Sequence, residues 1–230
     1  MGKATLAGVD QDQSCAAGRS PELLWDKPQG ACHATLILAH GAGAPMDSEF
    51  MQQVSQWLVE RGIAVVRFEF AYMAARRNDG KRRPPNPQTQ LLEQWRSIYA
   101  EIRRQAQGPV VIGGKSMGGR MASLLVDELG AAGLVCLGYP FYAPGKPEKP
   151  RTAHLAGLQT RTLIVQGERD ALGDRQAVEG YDLSPAISLK WLETADHDLK
   201  PLKRSGFTHL QHLESAADEM ASFINALIAA

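Results

Sequence analysis

Residues 109–121 read PVVIGGKSMGGRM. An apolar run ends in two glycines, a lone serine follows one residue later, and two more glycines open a helix-like stretch. The core pattern is G-x-S-x-G: Gly114, Lys115, Ser116, Met117, Gly118. A strand that turns abruptly into a helix leaves no room for side chains two residues either side of the turn, so glycine stands there. The apical residue is held in strained backbone and its Oγ is lifted above the sheet. There it sits beside a helix N-terminus, whose free N–H groups favour negative charge. This predicts a nucleophile elbow with Ser116 at its tip. A phosphate loop, the rival reading of Gly-Lys-Ser, would need glycine at Pro109 and a loop where the apolar strand runs.

Outward from the elbow, strand-like and helix-like segments alternate. That order implies a mostly parallel sheet of about six to eight strands with helices on both faces, an α/β fold without a lid domain. Strands are expected at 34–39, 63–70, 110–113, 133–138, 160–166 and 187–192. Helices are expected from a cap at Asp47 or Ser48 to Gly62, along the face Leu91, Trp95, Ile98 and Ile102, over 117–129, near 175–180, and at the C-terminus from Leu210 to Leu227. Residues 71–87 read as a long basic, proline-rich loop, and 140–150 as another. Residues 1–30 read as an irregular lead-in with one or two edge strands, and 31–230 as a single domain.

Length and composition bound the function. With 230 residues, 44% of them hydrophobic, the chain can bury one sizeable core. Formal net charge is zero, which argues against a general nucleic-acid binder. No apolar run is long enough for a membrane span, the N-terminus lacks a secretory apolar core, and Leu6 stands where myristoylation needs Ser or Thr. Cys15, Cys32 and Cys136 show no paired spacing, as expected of reduced thiols in a cytoplasmic protein. Neither a metal nor another cofactor is expected, because no His, Cys, Asp or Glu pair has ligand spacing. The expected partner is a small-molecule substrate.

In an open parallel sheet, reacting groups gather at the carboxyl ends of the strands. Four such ends carry compatible chemistry. Besides Ser116, one strand ends in Gly167-Glu168-Arg169-Asp170, another in Thr194-Ala195-Asp196-His197, and an early one in His40-Gly41-Ala42-Gly43. Acyl transfer needs a nucleophile, a base, an anion to orient the base and donors for the oxyanion. Ser116, His197 and Asp170 fill the first three roles, and the backbone N–H groups of Ala42 and Met117 the fourth. The chain order Ser, Asp, His is that of α/β hydrolases. Asp174, further along the same loop, is the alternative acid. His40 is expected to shape the oxyanion loop, and His209 and His212 to serve on the surface or in the core.

With these residues in place, the chain over roughly 34–230 resembles an α/β-hydrolase-fold protein. More narrowly, it is similar to small lidless bacterial hydrolases in a branch that includes the testis-expressed-protein-thirty family and a subunit of a histone-acetyltransferase complex. The stretches that carry the likeness are HGAGAPMDS at 40–48, GKSMGGR at 114–120, GYPFYAPGKPEKPRTAHL at 138–155, QGERD at 166–170 and ADHDLKP at 195–201. The resemblance implies a serine-hydrolase fold, with dienelactone-hydrolase-like and prolyl-oligopeptidase-like enzymes as wider relatives, and no particular substrate. Dienelactone hydrolases use a cysteine nucleophile, from which Ser116 departs.

Basic side chains outnumber acidic ones on the loops predicted at the catalytic edge, a field that would concentrate an anionic substrate. Arg76, Arg77, Arg82 and Arg83 are the expected substrate-binding residues. The favoured reading is hydrolysis of an ester or thioester of a small or anionic substrate. A non-catalytic interaction module is a second reading, and a peptidase or aminoacyl hydrolase a third.

Overall fold

The computed structural model describes residues 22–229; most of the lead-in, with Leu6 and Cys15, lies outside the described residues. Its centre is a seven-stranded sheet. The strands are β1 (Leu23–Asp26), β2 (Ala34–Ala39), β3 (Ile63–Phe68), β4 (Val110–Lys115), β5 (Gly133–Leu137), β8 (Thr162–Gly167) and β9 (Ile187–Leu192), in the order β1-β3-β2-β4-β5-β8-β9. All neighbours pair in parallel except β1, an edge strand antiparallel to β3 with Leu23 opposite Phe68.

Strand residues alternate between two cores, as the period of two requires. Ile37, Ala39 and Ile112 face one way, against α3 (Gln88–Gln105) and α4 (Met117–Ser123). Leu36, Leu38 and Val111 face the other, against α1 (Glu49–Glu60) and α7 (His209–Ile228). Both faces are therefore covered, and the strands read as continuous apolar runs. The order reverses between β2 and β4, which opens a crevice where their carboxyl ends diverge.

Several expectations need correction. Residues 71–79 are not loop but helix α2 (Ala71–Asp79), closed by Gly80 at φ 71°. Its arginines mask the pattern, yet Tyr72 and Met73 supply a buried edge. The expected helix over 117–129 breaks into α4 and α5 (Val126–Leu129). Ser123 Oγ donates to the Arg120 carbonyl at 2.8 Å, a side-chain bond that competes with the helical ladder. The 140–150 loop contains a small hairpin, β6 (Tyr142–Ala143) with β7 (Lys146–Pro150), whose two prolines suit an exposed edge. Residues 175–178 form α6. Ser48 occupies the α1 N-cap position without a side-chain cap bond, while Asp47 pairs with Arg77.

Candidate active site

Gly114 and Gly118 let the elbow close. A Cβ on Gly114 would lie 2.6 Å from the Ala39 carbonyl oxygen, and one on Gly118 equally near the carbonyl oxygens of Ala39 and His40. Ser116 between them has φ 51° and ψ −116°, a conformation costing roughly 1–3 kcal/mol that the surrounding packing must impose.

Three strand ends bring their side chains together. His197 Nε2 lies 2.8 Å from Ser116 Oγ, and His197 Nδ1 lies 2.8 Å from Asp170 Oδ2. A carboxylate can only accept from the ring, so the proton sits on Nδ1 and Nε2 accepts from the serine hydroxyl. Asp170 is fully buried. Gln166 Nε2 also donates to its Oδ2 at 2.8 Å, and the Leu172 N–H donates to Oδ1 at 2.8 Å. Such a carboxylate is satisfied without water, as burial demands. Gln166 is itself held, its Oε1 accepting the Tyr139 N–H at 2.7 Å.

The loop carrying His197 is stapled from several sides. Asp196 Oδ1 accepts the N–H groups of Asp198 and Lys200 at 2.9 and 3.0 Å. Lys115 donates from Nζ to the His197 carbonyl at 2.7 Å and pairs with Asp198 at 3.2 Å. Burial pushes the Lys115 ammonium below its ordinary pKa, which Asp198 partly offsets. From α7, His209 Nε2 lies 2.8 Å from the Asp198 carbonyl and His212 Nδ1 3.2 Å from that of Leu199. Thr194 at φ 52° and Leu199 at φ 60° bracket the loop in left-handed backbone. Strain thus concentrates at the serine and around the histidine.

His40 is fully buried at the end of β2 and accepts the Phe70 N–H on Nε2 at 3.1 Å. Its Nδ1–H must then donate to the Gly41 carbonyl, 2.6 Å away. Burial pushes its pKa down, which keeps this neutral tautomer. In a trans peptide, carbonyl and N–H point opposite ways, so holding Gly41 O inward turns the Ala42 N–H outward. Tyr72 fixes the next carbonyl, its hydroxyl donating to Ala42 O at 3.0 Å. Met117 opens α4, where an N–H has no intrahelical acceptor.

Two cavities flank Ser116. One of about 440 Å³ is lined by Gly41–Ala44, Phe50, Lys115 and His197. The other, about 380 Å³, is lined by Leu91, Met117, Arg120, Pro140, Arg151 and Leu172. A larger, shallower hollow of about 620 Å³ lies beyond Asp170, among Glu168, Asp174 and Arg175, and does not reach the serine.

The seven-stranded sheet, both faces covered, with an elbow at the topological switch, decides the family. The chain belongs to the alpha/beta hydrolase domain family, which matches residues 32–225. Among solved structures, this α/β hydrolase is similar to dienelactone hydrolase from Anabaena variabilis, with TM-score 0.68, 19% identity and coverage of 92% of this chain and 94% of that one. It is similar to Est1E from Butyrivibrio proteoclasticus with ferulic acid bound, with TM-score 0.67, 15% identity and coverage of 91% and 96%. A serine hydrolase without lid from Xanthomonas campestris gives TM-score 0.62, 17% identity and coverage of 90% and 87%. At these identities the likeness is one of fold. No curated protein matches the chain.

Other expectations for this α/β hydrolase are corrected. Asp174 does not reach the histidine; it caps α6, accepting the Ala177 N–H at 2.8 Å. Nor do the four expected arginines line the cavities beside Ser116. Arg77 forks onto Asp47 and reaches the buried Glu69, Arg83 is paired with Asp79, and Arg76 donates to the Gly43 carbonyl at 3.3 Å. No partner of the Arg82 side chain is found among the described residues. Nearby acids explain two of the four: Asp47 and Glu69 neutralise Arg77, and Asp79 neutralises Arg83. The Asp47 and Asp79 carboxyls are held below their ordinary values by those guanidinium hydrogen bonds, Asp79 at about 2. Among the described residues, no cluster of His, Cys, Asp and Glu is arranged to hold a metal, and no helix is long and apolar enough to cross a membrane.

Proposed function

We propose that this chain is a serine hydrolase that cleaves a carboxylic ester or thioester of a small substrate, from the small lidless branch of the family that its motifs resemble. The observation that carries the reading is the continuous chain of hydrogen bonds from Ser116 through His197 to the buried Asp170.

Ser116 Oγ attacks the carbonyl carbon as its proton passes to His197 Nε2, and the carbonyl π electrons move onto oxygen. The N–H groups of Ala42 and Met117 receive that oxyanion, each donor contributing roughly 3–4 kcal/mol to the transition state in comparable sites. Asp170 stabilises the imidazolium and keeps the ring turned. Collapse of the intermediate breaks the bond to the leaving oxygen or sulfur, which takes the proton from Nε2. Water then repeats the sequence on the acyl-enzyme and releases the acid and free Ser116.

The test is labelling by a fluorophosphonate probe, with the adduct located by peptide mass spectrometry. The expected result is one adduct, on Ser116, lost in Ser116→Ala. A folded protein that stays unlabelled while hydrolysing no ester or thioester overturns the reading.

A further inference from the structure

Arg77 and Arg83 are neutralised by carboxylates, but two cations in the 380 Å³ cavity are not. Arg120, from α4, and Arg151, at the stem of the β6–β7 hairpin, both line it beside Ser116. Among the described residues neither guanidinium pairs with a carboxylate. Arg120 has one side-chain contact, from Nη2 to Gln88 Oε1 at 3.2 Å, and its Nε is buried with no acceptor. A buried donor of a charged group left unpaired is costly unless a ligand satisfies it. Desolvation and the neighbouring Arg151 charge both push the Arg120 pKa down. Tyr139 offsets that only in part, and His154, whose own pKa burial and the Arg120 charge push down to about 4, is held neutral at ordinary pH. Asn86 and Gln88 add neutral amides to the lining, and Leu91, Met121, Pro140 and Leu172 are apolar. Two like charges in a largely apolar cavity, one with an unmet donor, make a receptor for an anion.

The two cavities differ in a way that assigns their contents. His197 must return its proton to the leaving group, so the leaving group lies in the cavity His197 lines. The arginine cavity lacks His197 but shares Ser116 and Ala42 with the first and adds Met117, so it receives the acyl chain.

We propose that Arg120 and Arg151 form a carboxylate subsite for the acyl half of the substrate, so that the preferred substrates are monoesters or monothioesters of short dicarboxylic acids. This rests on the hydrolase reading for its chemistry, while the anion site itself does not.

Para-nitrophenyl butyrate and para-nitrophenyl hemisuccinate share a leaving group and chain length and differ in the terminal carboxylate. The wild-type protein is expected to favour the hemisuccinate in kcat/KM by about tenfold or more, the scale of a charge-assisted hydrogen bond. Arg120→Met should bring that ratio close to one, Arg151→Gln should lower it by a smaller factor, and Arg120→Lys should keep part of it. In parallel, calorimetric titration of succinate into the Ser116→Ala protein should show saturable binding, weakened about tenfold or more when Arg120→Met is added. Arg151→Gln, on a partly exposed stem, keeps the titration informative if Arg120→Met fails to fold. Equal kcat/KM for the two esters, or parallel losses that leave their ratio unchanged, with no succinate binding, overturns the subsite and leaves the hydrolase reading intact. Arginine-dependent succinate binding by a protein that no fluorophosphonate labels does the reverse.

Discussion

Helix α4 has a serine at each end, and each touches an imidazole. Ser116 Oγ lies 2.8 Å from His197 Nε2, and Ser123 Oγ lies 2.9 Å from His154 Nε2. The distances do not separate them; the surroundings do. Ser116 is strained and opens on two cavities, whereas Ser123 is 2% exposed inside the helix packing. Ser123 gives its one proton to the Arg120 carbonyl, so it accepts from His154 Nε2–H. That polarity is opposite to a base drawing a proton from a nucleophile. His197 has a buried carboxylate behind it, while no carboxylate pairs with His154 among the described residues. A serine–imidazole contact becomes a candidate catalytic pair when an acid fixes the tautomer and the hydroxyl has its proton to give.

The sharpest way to break the comparison is to reverse the polarity of the first pair. Asp170→Asn places an amide where the carboxylate accepts from Nδ1, favouring the tautomer with hydrogen on Nε2. Ser116 would then face a donor, as Ser123 does. With a para-nitrophenyl ester, kcat is expected to fall by about 10⁴-fold, the scale of that change in comparable triads. A fall of less than about tenfold would mean that Asp170 does not set the tautomer.

A smaller loss tests the oxyanion loop, which has no counterpart at Ser123. His40→Phe keeps the ring and its edge contact with Phe70 but removes the bond that holds Gly41 O. The Ala42 N–H loses its orientation, and kcat is expected to fall by about 10²-fold with KM little changed, as when one oxyanion donor is removed. Burst kinetics and a thermal melt separate that loss from the cost of leaving the Phe70 N–H unpaired. An unchanged kcat would release His40 from the role.

The sequence exposes Ser116, Asp170 and His197 because each ends a recognisable apolar strand, and strand ends converge in this topology. It hides Lys115 at the unspecified position of the elbow, where only the fold brings its Nζ to the His197 carbonyl. It hides Gln166 as well, since a polar residue closing a strand gives no sign that it braces Asp170. The four arginines of 76–83 read as a binding patch because they are close in sequence. Asp79 lies in the same stretch, but the acids that hold Arg77, Asp47 and Glu69, come from other elements, so that neutralisation is invisible until the chain folds. Arg120 and Arg151 stand apart in sequence and gain meaning through a shared cavity. Helix α2 was obscured for a related reason: a short buried edge of Tyr72 and Met73 is outweighed in the pattern by exposed arginines.

The smallest expected effect comes from the second pair. Ser123→Ala should leave kcat/KM within about twofold and cost about 1 kcal/mol of stability, the net worth of an ordinary buried hydrogen bond. His154→Gln isolates the imidazole's contribution. Burial, aided by the Arg120 charge, pushes the His154 pKa from its ordinary 6.5 down to about 4. Between those values the unfolded chain binds a proton that the folded protein refuses, so stability falls as pH drops through this window. Glutamine carries no such proton. The melting temperature of the wild type minus that of His154→Gln should therefore shrink steadily from pH 7 towards pH 4, while other titrating groups cancel between the two proteins. A difference that stays flat across the window would mean that His154 meets water freely, and that Ser123 shares its helix with a pair as open as the first.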